Sequence, residues 1–210
     1  MKKITSLPLF VRRAFLVLSV VIMSGFSTKS MAQTDISTEQ GLRDIATNTA
    51  GSYRLTADIT ITTDWTPISG FSGTLNGNGH VIKGLSFNNT GTNSVGLFAS
   101  TNAGATITKL GIENANLVGN ADVGGIVGAA IGVTITECYV SNSYIEGRDH
   151  VGGITGALKT SSLIENSYST AVVASRSSQV GGITGLLFDG SINKCYFSGQ
   201  VYIATLIQFL

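Results

Sequence analysis

Charge is scarce in this chain, and the little there is lies unevenly. Only 12% of the 210 residues are Asp, Glu, Lys or Arg, and the formal net charge is +1. Five of the thirteen basic residues (Lys2, Lys3, Arg12, Arg13, Lys29) fall within the first 32 positions, which hold no acid. Beyond them, eight basic residues face twelve acidic ones, a net charge near −4. Nucleic acid and anionic lipid both demand basic surface, so neither is expected as a partner. Histidine and cysteine are equally sparse, at two each. Cys138 and Cys195 with their nearby side chains offer too few ligands for a metal, and no cofactor is expected. Helical periodicity is missing from most of the chain, which argues against a helical domain.

What is abundant is glycine, and it recurs in a pattern. Val123–Gly128 reads VGGIVG; VGGITG follows at 151–156 and again at 180–185, with a weaker copy, VGLFAS, at 95–100. The opening valines are spaced by 28, 28 and 29 residues. Self-similarity at such a period marks a stacked repeat protein. A phosphate-binding loop is the rival reading, and it is disfavoured because the same glycines return in every copy and no lysine follows them.

Each glycine motif is followed by a second element: Ile107–Ile112, Ile135–Val140, Ile164–Ser169 and Ile192–Phe197. Apolar residues hold its first, fourth and sixth places in most copies, and a two-residue spacing is that of a strand. A third segment carries Leu117, Ile145, Val173 and Val201. One such unit cannot bury its own apolar face. Stacked units can, with each position aligned in a column about 4.8 Å per step. The expected fold is therefore all-β: a right-handed parallel β-helix, or β-solenoid, of about five coils with three strands each. The paired glycines suit corners that need positive φ or close approach.

The first 32 residues read as an export signal. A basic start precedes the apolar run Ala14–Met23, and Ser30-Met31-Ala32 offers small residues for cleavage after Ala32. The run is shorter than the roughly 20 residues a membrane span needs. The expected product is exported, at the cell surface or secreted, with no membrane insertion once the signal is gone. Residues 33–70 form an N-terminal cap. Within it, 36–47 are expected to be a short helix with Ser37 and Gln40 as a capping box and Leu42, Ile45 and Ala46 on one face. Such a helix covers strand edges that would otherwise be bare. Tyr53, Leu55, Ala57, Ile59 and Ile61 alternate with polar residues as one half-buried strand. Residues 71–200 are the solenoid, and Asn76–Gly79 is a turn. Ile82–Phe87 is read as an early copy of the second element, placing Ile82 in the column of Ile107, Ile135, Ile164 and Ile192. Ser167 and Ser169 break the apolar rule, either by bonding locally to backbone or by a rotated coil. Residues 201–210, VYIATLIQFL, leave the pattern, as the end of a truncated product or an apolar strand paired with something else.

These motifs resemble GLUG-motif repeats, matched by GLFA, GIVG, GITG and GITG and by the downstream I-x-N-C-Y signature at Ile135–Tyr139, Ile164–Tyr168 and Ile192–Tyr196. The segment Gly73–Phe87 is similar to the coil preceding such repeats in secreted bacterial proteins. The resemblance covers about residues 36–200. It implies a modular surface or secreted bacterial protein, adhesin-like or attached to an immunoglobulin A-cleaving metallopeptidase. The peptidase part itself is not in this sequence, which has no HExxH.

Four groups of residues are candidates for function. Cys138 and Cys195 share a column two coils apart. Their separation of roughly 9–10 Å exceeds what a disulfide spans, so both are expected as free buried thiols. Tyr139, Tyr168 and Tyr196 follow the inward fourth position and should point outward in a ladder. That ladder is either a platform for sugar faces or a partner's apolar surface, or a purely structural cross-strand stack. Trp65 either stacks on a sugar or packs on the cap. Arg148, Asp149 and His150, with Glu146 nearby, form the densest ionisable cluster and are read as a solvated corner. No second carboxylate pair converges there except Asp122, so the pair needed for glycoside hydrolysis is lacking. The reading that results is a non-catalytic, adhesin-like interaction module for host or bacterial surface glycan or protein. A carbohydrate-active β-helix enzyme and a structural stalk are the alternatives, since a fold alone does not separate them.

Overall fold

A computed structural model describes residues 32–177 and 179–203. The expected signal, apart from Ala32, and the stretch 204–210 lie outside the described residues. The rest winds as an all-β parallel solenoid of about five coils, with one short helical segment near its start. The strands gather in four parallel sheets, so each position of the repeat stands beside its equivalent in the next coil. Val95, Val123, Val151 and Val180 form one such row. Ile107, Ile135, Ile164 and Ile192 form another. The first three of these isoleucines are fully buried. Burying each side chain of this size contributes roughly 1.5–3 kcal/mol, and much of the cover comes from the coils above and below.

The early coil departs from the expected alignment. Leu75, and not Ile82, pairs with Ile107, whereas Ile82 pairs with Ile112 and Phe87 with Leu117. The shared apolar spacing of Ile82–Phe87 is that of any inward-facing strand pair. Backbone pairing shifts it one strand later around the coil. The strand expected over Tyr53–Ile61 is likewise two pieces, Ser52–Leu55 and Ile59–Thr60, broken where the coil turns between them.

The helical segment is Glu39–Arg43 followed by a 3-10 turn, Asp44–Thr47. Its N-cap is Thr38, not Ser37: the Thr38 hydroxyl accepts from the Gly41 amide at 3.1 Å. Leu42 and Ile45 reach the core, but the tighter 3-10 turn leaves Ala46 exposed. Polar bonds tie the segment down. Glu39 accepts from the Thr62 amide and hydroxyl, and Arg43 donates to the Thr63 and Asp64 carbonyls. The Arg43 guanidinium first, then the hydrogen bonds from Thr62 and Thr63, hold the Glu39 carboxyl down at about 2.

Two of the corners that turn the coil contrast in their demands. At the VGG corners no glycine has positive φ; what they need is room. A Cβ on Gly156 would sit 2.6 Å from the Asp122 Cα, and one on Gly124 2.6 Å from the Gly156 amide nitrogen. Glycine meets glycine across neighbouring coils, and no side chain fits between. The corner after each isoleucine takes positive φ and yet carries a side chain: Lys109, Glu137, Asn166 and Lys194 lie at φ 53, 54, 48 and 48. Asp122 and His150, just before the valines, adopt the same conformation.

The serine coil keeps its register, with Ser169 opposite Val140. Its hydroxyls bond locally. Ser167 donates to the Glu165 carbonyl at 2.8 Å and accepts from the Cys138 amide at 3.1 Å. Ser169 accepts from the Ala171 amide at 3.2 Å. Buried hydroxyls so satisfied substitute for apolar residues without rotating the coil.

Candidate ligand-binding face

The sheet built from Ile59–Thr60, Val81–Lys83, Gly111–Glu113, Tyr139–Ser141, Tyr168–Ser169 and Tyr196–Phe197 presents one outward row of Val81, Gly111, Tyr139, Tyr168 and Tyr196. Strand alternation sends their inward neighbours, from Ile82 to Phe197, to the core. The three tyrosines stack in register at 5.1 and 4.9 Å between centroids, with planes within 5° of each other. This geometry decides what the ladder offers. The rings lie face to face along the solenoid axis, so their faces are spent on one another. The lower face of Tyr139 rests on Gly111, where an added Cβ would come within 2.5 Å of the ring. The sheet therefore shows ring edges and hydroxyls rather than a flat platform. Tyr196, 57% exposed, has no further ring stacked above it among the described residues.

The Tyr139 hydroxyl donates to Glu113 Oε1 at 2.9 Å. Partial burial, reinforced by that carboxylate, pushes the phenol up to about 12. Tyr168 is also raised, by burial first and by Tyr196 second. At the foot of the ladder a cleft of about 400 Å³ opens, lined by Asn78, Gly79, Lys109, Gly111, Glu137 and Tyr139. It exists because glycine replaces tyrosine at position 111. The walls are the left-handed corner residues, whose side chains project outward. Glu113, Asn78, Lys109 and Glu137 were not among the sequence candidates. The two polar places after each isoleucine were legible only as a bend, and their closeness to Tyr139 depends on how the coils stack.

Trp65 is not available to a ligand. It is 1% exposed, its indole N–H donates to the Leu97 carbonyl at 3.0 Å, and the Arg43 guanidinium lies 4.9 Å above its ring. The sugar-stacking expectation is corrected for a physical reason: the ring is held between the cap and the core.

The thiols are both free. Cys138 is buried, donates to the Thr136 carbonyl at 3.2 Å, and is pushed up to about 12 by that burial. Cys195, in the last described coil, is only half-buried, so full burial was expected of one thiol too many. Among the described residues no cluster of His, Cys, Asp and Glu could hold a metal.

The ionisable corner is less open to solvent than expected. Asp122 Oδ1 lies 2.6 Å from His150 Nδ1, and Lys159 Nζ lies 3.4 Å from Asp122 Oδ2. Arg148 pairs with Asp149 at 2.8 Å, and Arg176 pairs with Glu146 at 3.3 Å. The Tyr144 hydroxyl donates to Glu146 at 2.7 Å. A hydrogen bond from Ser177, then the Arg148 pair, hold the Asp149 carboxyl below its usual range. Each carboxylate here has a partner, and the network ties successive coils together.

No family model matches the chain. It is 48% identical over 52 residues to halomucin of Haloquadratum walsbyi; this covers 25% of the chain and spans about 1% of halomucin's length. Among solved structures, it is similar to a chain from Bacteroides ovatus provisionally named an immunoglobulin A1 protease. The TM-score is 0.54 and the identity 18%, over 80% of this chain and 76% of that one. That likeness is one of fold.

Proposed function

We propose that the chain is an exported, non-catalytic interaction module of adhesin-like character, built from GLUG-type repeats. It binds a glycan or protein of a host or bacterial surface through the tyrosine face. The observation that carries this reading is the polar cleft beside Tyr139. An ammonium, a carboxylate and an amide line it, next to an aromatic edge and hydroxyl. That mixture suits a ligand rich in hydroxyls, which needs donors and acceptors together with one apolar contact. The partial match to halomucin fits a surface or secreted setting.

A glycan array and a pull-down with surface proteins, run on the chain and on Lys109→Ala, Glu137→Ala and Tyr139→Phe, test the reading. Each substitution should weaken binding about tenfold or more if it removes a direct contact. Binding that survives all three would move the site elsewhere. Shortening of any polysaccharide on incubation would overturn the non-catalytic claim. One observation favours the stalk as a second reading: the rings stack face to face, so they also hold neighbouring coils together. A stalk predicts no ligand on either assay, with the tyrosine changes lowering stability alone. Export itself is tested by sequencing the N-terminus of the protein recovered outside the cytoplasm, which should begin at Gln33.

A further inference from the structure

The described residues spend nearly all of their positive charge on one another. Seven of the eight basic residues beyond position 32 pair with a carboxylate, from Arg43 with Glu39 at 2.7 Å to Lys194 with Glu165 at 3.9 Å. Lys109 is the exception: among the described residues its ammonium has no ion-pair partner. Glu137 makes no ion pair there either, and both side chains are exposed.

These two residues are neighbours. Thr108 pairs with Thr136 and Gly111 with Tyr139, so Lys109 and Glu137 hold one corner in successive coils. Their backbones stand about 4.8 Å apart. Opposite charges so placed would ordinarily close on each other. Here both line the cleft of about 400 Å³ beside Tyr139, and no ion pair joins them. The cleft has a separate cause, the glycine at 111 in the tyrosine row. Two unrelated features of the repeat thus coincide in the same coils: room for a ligand, and two charges with no use inside the protein. The corner does not repeat this further along, where Asn166 is neutral and Lys194 is paired with Glu165.

We infer that the cleft takes a compact zwitterion, an α-amino-acid head group whose ammonium meets Glu137 and whose carboxylate meets Lys109. This rests on the reading of the tyrosine face as the binding surface and names the chemistry recognised there. A neutral sugar would leave both charges unmatched. A plain acid would meet Lys109 but be repelled by Glu137, and by Glu113 behind the Tyr139 hydroxyl. Complementary charge on both members of the pair selects a ligand carrying both signs. The short step between coils requires those two charges to lie close together, as they do on one carbon. The Asn78 amide and the edge of Tyr139 are left for the arm that bears the head group. A surface polymer presents such a group on an amino acid attached through its side chain, which leaves both charges free.

Saturation-transfer NMR on the whole chain, with free alanine as the probe, tests this. Alanine should bind with a Kd of about 1 mM. N-acetylalanine lacks the ammonium and alaninamide the carboxylate, and each should bind about threefold more weakly or worse. In Glu137→Gln the difference between alanine and N-acetylalanine should vanish. In Lys109→Gln the difference between alanine and alaninamide should vanish, with the circular dichroism of both variants unchanged. Nε-acetyllysine and serine O-linked to a hexose carry the head group on an amide arm and on a sugar, and the tighter of the two identifies the bearer. Equal binding of the three alanine probes, or tighter binding of alanine by Glu137→Gln, overturns the inference. So does an absence of alanine binding. A glycan array or pull-down that still scores in that case leaves the interaction module standing, and blank ones remove that reading too.

Discussion

The two corners of the coil solve one problem by opposite means. At VGG the chain turns where two backbones nearly touch, so the residue there must have no side chain, although its φ is ordinary. At Lys109, Glu137, Asn166 and Lys194 the φ is left-handed, where glycine is favoured, yet side chains are present. Such a conformation costs an ordinary residue on the order of 1 kcal/mol or more. The first corner faces another coil, and any added atom meets backbone. The second faces solvent, so a side chain meets no backbone in its way, and its chemistry is free to differ from coil to coil. The polar cleft beside Tyr139 draws its ammonium and its carboxylate from this second corner.

The largest test of the contrast is to add one methyl group where the backbones touch. Gly156→Ala should cost roughly 3 kcal/mol or more in urea unfolding, because backbone cannot yield as a side chain does. A loss under about 1 kcal/mol would mean that the close approach relaxes freely.

A second test compares the residues that follow the left-handed corner. Cys138 and Cys195 occupy one place in the repeat and differ in whether a described coil lies above. A thiol reagent should label Cys195 at least about tenfold faster than Cys138, whose reaction waits for the coil to open. Equal rates would show that the last coil is as closed as the interior.

The tyrosine beside the corner gives a pH test. Its folded-state value of about 12 lies above the ordinary 10. The folded protein therefore holds that proton more tightly than the unfolded one. The resulting stability is complete below about pH 10 and is lost as the pH climbs towards about 12. Tyr139→Phe should flatten the decline in unfolding midpoint over that window. A decline that persists unchanged would assign it to other groups.

The smallest expected effect is at the left-handed corner itself. Glu137→Gly should leave stability unchanged or raise it by up to about 1 kcal/mol, since glycine adopts this φ without strain. It should also remove one wall of the cleft and weaken any ligand bound there. A clear destabilisation would show that the Glu137 side chain holds the coils together, against the division drawn between the two corners.

Much of this architecture is legible in the amino-acid sequence. The row of Val95, Val123, Val151 and Val180 and the row from Ile107 to Ile192 stand as the spacing required. Ile82 was misplaced because its strand lacks a preceding glycine motif to fix the phase, and apolar alternation alone does not count strands. The cap was legible as a helix but not as one that tightens after Arg43, so Ala46 was set on the wrong face. Trp65 carried two readings, and only its neighbours Arg43 and Leu97 chose between them. For the tyrosines, the row was readable but not the tilt of the rings.

The amino-acid order by itself settled the length of a coil and which positions look inward. Equivalent residues in a stacked repeat must coincide, and apolar ones must leave water. The fold in space decided what period and polarity do not encode: which glycines touch, which ring faces are used up, and which charges from different coils meet, as Asp122 meets His150. Those outcomes depend on the distance between coils and on the path around the cross-section, and no residue specifies either one alone.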